Sequence, residues 1–138
     1  MNIGDIAWPE DPKAACRLYL EFDILVIEKL GIKFPEALPS PLRTAKSYVA
    51  GEVTEEDYGA QNVLWWRHVD ATGGTQEFRD IATLTARLAI CLLSATTDRA
   101  NSLGDDLSWF FEVLGFMGFD LNEPFQMMTT HFPSRTAK

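Results

Sequence analysis

Between Ile81 and Ala95 the chain carries one charge, Arg87, and almost every other residue is apolar or small. A helix that is apolar nearly all round has no face to offer water, so other helices must enclose it. The spacing predicts a central helix over about 76–95, opening after Thr75, and the remaining segments then have to supply its cover.

They carry the punctuation for that task. Asp11-Pro12 is an N-cap followed by proline at the first helical position, where a missing N–H costs nothing. From there Ala15, Leu18, Tyr19, Phe22, Leu25, Val26 and Ile27 keep helical spacing up to Gly31. Pro35, Pro39 and Pro41 mark a loop. Ser40-Pro41 repeats the cap-plus-proline start for a short helix ending near Gly51. Thr54 caps the next, with Glu55, Glu56 and Asp57 facing the positive end of its dipole. That helix is expected to pass through Trp65 and Trp66 to about Asp70 and to stop at Gly73-Gly74. Beyond the central helix, the pattern predicts a helix over about 98–118, interrupted near Gly104, and a short last one from Asn122-Glu123-Pro124. Sustained period-two alternation and hairpin turns are missing. The expected fold is therefore all-α: a compact single-domain bundle of about five to six helices spanning 1–138, with loosely ordered tails at 1–10 and 133–138.

The chain has 138 residues, 46% hydrophobic and 12% aromatic, enough for one real core. Twenty acidic residues against 12 basic ones leave a net charge of −8. Such a field repels phosphate backbones and anionic membranes, so nucleic acid and membrane are not the expected partners, whereas a basic surface is. The stretch Met1–Glu10 has no basic start and no long apolar run, which makes the cytoplasm the expected location. Cys16 and Cys91 sit among apolar neighbours without metal-ligand spacing and read as small buried hydrophobes.

The sharpest enzyme-like pattern is a pair of acidic spacings, Glu52 with Glu55 and Glu77 with Asp80. It looks like the E-x-x-E…E-x-x-D arrangement of all-α nucleotide pyrophosphohydrolases of the MazG type, which hold magnesium between helices. An i, i+3 pair aims two carboxylates the same way only on a helix. Glu52 fails that condition, lying between the stop at Gly51 and the cap at Thr54. His68 and His131 belong to no metal-binding spacing, and no nucleophile elbow, P-loop or dinucleotide fingerprint occurs. No catalytic residue and no cofactor is therefore assigned.

The aromatic residues are more informative. Over 107–117, Leu107, Phe110, Phe111 and Leu114 form one stripe and Trp109, Val113 and Phe116 a second, with Glu112 beside it. One stripe suffices for packing on the central helix. The second is covered by another helix, by a second copy of the chain, or by a partner; in the last case Asp105, Asp106 and Glu112 ring an aromatic anchor suited to a basic protein surface. Trp65 and Trp66 point about 100° apart, so one faces the core and the other an edge, where Trp66 joins the candidate partner-binding residues.

Residues 41–57, Pro-Leu-Arg-Thr-Ala-Lys-Ser-Tyr-Val-Ala-Gly-Glu-Val-Thr-Glu-Glu-Asp, resemble a segment of the small α-helical immunity proteins of bacterial polymorphic-toxin systems. There an Arg-x-Ala helix ends in Gly-Glu and a Ser or Thr opens the next helix, with a Trp- and Ala-rich segment following, as Trp65-Trp66 does here. The resemblance implies a cytoplasmic, non-catalytic protein that neutralises a cognate toxin domain by direct binding. It carries over no contact residues. A third reading of an all-α bundle, a binder of small hydrophobic ligands, requires an apolar cavity between helices.

Overall fold

The computed structural model describes residues 1–71 and 80–135. Asp11 accepts a hydrogen bond from the Ala14 N–H at 3.0 Å and starts α1, Pro12–Leu30. Gly31 ends it with φ +68°, a left-handed conformation that a Cβ disfavours, and the Ile32 N–H reaches back to the Ile27 carbonyl. Ser40 caps α2, Pro41–Val49, through the Arg43 N–H at 3.2 Å. Thr54 caps α3, Glu55–Ala71, through the Asp57 N–H at 3.0 Å. Among the described residues there are six α-helices and no strand beyond one isolated bridge, so the all-α expectation holds.

α4 spans Ile81–Leu93. Its N-cap is Asp80, whose carboxylate accepts from the Ala82 N–H at 3.2 Å and the Thr83 hydroxyl at 3.0 Å. The expected start at Gln76, and the stop at Gly73-Gly74, lie outside the described residues. The far end comes at Leu93, two residues short of the expected Ala95, because Tyr58 takes over the closing hydrogen bonds. Its hydroxyl donates to the Leu92 carbonyl at 2.6 Å and accepts from the Ala95 N–H at 3.0 Å. Every residue from Thr83 to Leu93 is buried, Arg87 included. α4 packs against α3, α2, α5 and α1, the central position that its composition demands.

The expected helix over 98–118 divides into two. A 3-10 segment, Thr97–Ser102, precedes α5, Leu103–Phe116, so the break falls at Ser102–Leu103, just before Gly104. The segment starts where Glu55 gathers it, accepting from both the backbone N–H and the hydroxyl of Thr97 at 3.1 Å. α6 follows at Asn122–His131.

Of the tails expected to be loose, residues 5–7 and 133–135 are tied down, while 136–138 lie outside the described residues. Ile6 is 2% exposed and bridges Ser134, the Ala7 N–H donates to the Pro133 carbonyl at 2.8 Å, and the Arg135 N–H donates to the Asp5 carbonyl at 2.7 Å. Residues 5–7 and 133–135 are thus tied to each other, and Trp8 packs edge-on to Phe132 at 5.1 Å. The reason is apolar: Ile6 and Phe132 belong to the same core as Phe22, Phe110 and Phe111. Burying side chains of this size stabilises a fold by about 1.5–3 kcal/mol each.

Candidate functional site

α5 divides its residues between the core and one outward stripe. Leu103, Leu107, Phe110, Phe111 and Leu114 are buried, as expected for the packing face. Asp105, Trp109, Glu112 and Phe116, spaced four, three and four apart, fall within roughly 60° of arc at about 100° per residue. Three of them are exposed and Trp109 is half-buried, with Phe116 54% exposed. Val113, expected in this stripe, is 0% exposed. It leans off the stripe toward the core and belongs to the bundle interior, while Glu112 takes its place in line. The surplus apolar surface is therefore smaller than the sequence pattern suggests.

Trp65 and Trp66 separate as their angular offset requires. Trp65 is sealed in the core against Phe34, whereas Trp66 is 40% exposed. Trp66 nevertheless lines one cleft of about 390 Å³ with Trp109 and Asp106, between α3, α4 and α5. α3 contributes Gly59 and Asn62 as well, α4 contributes Arg87, Ile90, Cys91 and Leu93, and Tyr19 of α1 closes the floor.

The cleft wall is held from several sides. Asn62 donates its amide to the Ser94 hydroxyl at 3.0 Å, and that hydroxyl donates to the Ile90 carbonyl at 2.5 Å. The Cys16 thiol donates to the Thr96 carbonyl at 3.4 Å. Arg99 and Asp106 form a two-point pair, Nε to Oδ2 at 3.1 Å and Nη2 to Oδ1 at 2.5 Å. That pair holds the Arg99 pKa above its ordinary value. The Arg87 guanidinium lies 5.7 Å from the Trp109 ring, within cation–π range. The lone charge on the central helix is thus a cleft residue, 7% exposed, and not a surface ornament. Trp66, Trp109 and Asp106 were legible in the sequence as candidate binding residues; Arg87 stood out only as a lone charge, and Tyr19, Asn62, Ser94 and Arg99 carried no signal.

No significant match comes from protein-family models, curated proteins or solved structures.

Neither cysteine is disposed to act as a nucleophile. Burial first, then the carboxylates of Glu55, Asp98 and Asp106, pushes the Cys16 thiol up to about 11. Burial likewise raises Cys91 well above the ordinary thiol range. Both stay protonated at neutral pH, as buried hydrophobes would. Two members of the four-carboxylate metal reading are committed elsewhere. Glu55 accepts from Tyr48 at 3.3 Å and from Thr97, and Asp80 caps its own helix. Glu52 lies exposed in a loop, and Glu77 lies outside the described residues. Among the described residues no three His, Cys, Asp or Glu side chains converge as metal ligands.

Proposed function

We propose that this chain is a non-catalytic protein-binding domain that neutralises a cognate bacterial toxin domain by direct contact, as an immunity protein does. The supporting observation is the α5 stripe of Asp105, Trp109, Glu112 and Phe116, which alternates acids with large aromatics on an outward face. Trp66, exposed beside the same cleft, extends the aromatic surface onto α3. Aromatic anchors bordered by carboxylates suit a partner with a basic surface, since the rings supply desolvated contact area and the acids steer the encounter. A net charge of −8 adds long-range attraction to such a partner. The partner is a protein, not a nucleic acid or a membrane, and no cofactor enters. No single helix among the described residues is long and apolar enough to cross a membrane.

The test is to find whether a toxin-like reading frame lies directly upstream, to coexpress its product with this chain, and to measure binding at increasing salt. The native chain should protect the host, and Phe116→Ala, at the 54% exposed end of the stripe, should weaken the complex at least tenfold while its melting temperature moves little. Association should slow as salt rises. Equal protection by Trp109→Ala and Phe116→Ala chains that still fold would remove this face from the interaction.

A further inference from the structure

The cleft carries a second assignment that does not depend on the protein-binding reading. Its polar wall is rich in donors. A guanidinium has five N–H groups in a planar fork, and Asp106 engages Arg99 through Nε and one Nη2 hydrogen. No other described residue accepts from the remaining Arg99 donors. Asn62 spends one amide hydrogen on Ser94 and keeps the other. Among the described residues the carboxylate in the lining is Asp106, and Arg99 engages both of its oxygens. The same lining carries Trp66, 40% exposed, and an aliphatic and thiol stretch from Ile90, Cys91 and Leu93. A volume of about 390 Å³ falls in the range that takes small molecules.

We propose that the cleft between α3, α4 and α5 binds a small aromatic carboxylate, its ring against the exposed Trp66 and its carboxylate accepting from Arg99 and Asn62. A carboxylate has two coplanar acceptors, which match the edge of a guanidinium already oriented by Asp106. An ammonium-bearing ring of the same size has no acceptor to offer and meets the Arg99 charge. A bare ring can lie against Trp66 but forms no charge-assisted hydrogen bond with Arg99, so it binds more weakly.

Isothermal titration of the full chain with indole-3-acetate, indole and tryptamine tests this. Indole-3-acetate should bind one to one, indole at least tenfold more weakly, and tryptamine more weakly still. Arg99→Gln should bring indole-3-acetate down to the indole level and leave indole unchanged. Arg99 is 44% exposed, so the variant is expected to fold; should it not, the ranking of the three ligands on the native chain decides alone. Tryptamine binding as tightly as indole-3-acetate, an Arg99→Gln variant with undiminished affinity, or no heat from any ligand would each overturn the assignment. A chain that shows no heat yet still blocks a toxin would overturn this site and leave the protein-binding reading intact.

Discussion

Asp23 sits on α1 one turn beyond Tyr19, fully buried, and neither of its carboxylate oxygens has a hydrogen-bond partner among the described residues. An ionised carboxylate in that position would keep its charge without water, so burial pushes its pKa well above the ordinary value. The neighbouring Tyr19 hydroxyl offsets part of that push, and Asp106 adds to it. The folded chain consequently holds a proton that the unfolded chain releases. Its contribution to stability is full below the ordinary carboxylate range and is lost as pH rises through the raised folded value. Asp23→Asn removes the titration, so the variant should gain on the native chain as pH climbs from about 4 to about 9. Melting curves across that range check it; a gap independent of pH would show that Asp23 is not protonated in the fold.

At the scale of elements, caps decide where helices begin more sharply than apolar content does. α4 would extend either way on composition, yet its start is set by Asp80, which serves both the Ala82 N–H and the Thr83 hydroxyl. Asp80→Ala should therefore destabilise the fold by about 1 kcal/mol, and Asp80→Asn by much less, because asparagine caps nearly as well. Chemical denaturation of the two variants checks this. A magnesium site would instead treat Ala and Asn alike as lost ligands, with stability unchanged without metal. The caps at Asp11, Ser40 and Thr54 were legible because their partners lie three residues away. The division of 97–116 into a 3-10 segment and α5 was not, since Glu55 imposes it from 42 residues away.

For the whole molecule, the ends of the chain are part of the core. Ile6 joins the aromatic cluster of Phe22, Phe110 and Phe111 through Phe132, and Phe22 and Phe132 lie 5.1 Å apart. Ile6→Ala should cost roughly 2–5 kcal/mol, the range for truncating a sealed aliphatic side chain, and thermal unfolding of the variant measures it. A loss within about 0.5 kcal/mol, the surface range, would mean that the terminal segments are not packed as a unit.

The sequence by itself determined the helical class, the caps and prolines that open α1 to α3, and the enclosure of 81–93, because each follows from contacts within a few residues or from one helix's own composition. It also separated Trp65 from Trp66, since neighbours on a helix diverge by geometry alone. Only the tertiary structure decided that Val113 is core, that Trp66, Trp109 and Asp106 share a cleft, that Arg99 is pinned there, and that the two ends pair. Those outcomes depend on which helix covers which flank, and that is settled by packing between residues tens of positions apart, where no local period carries information.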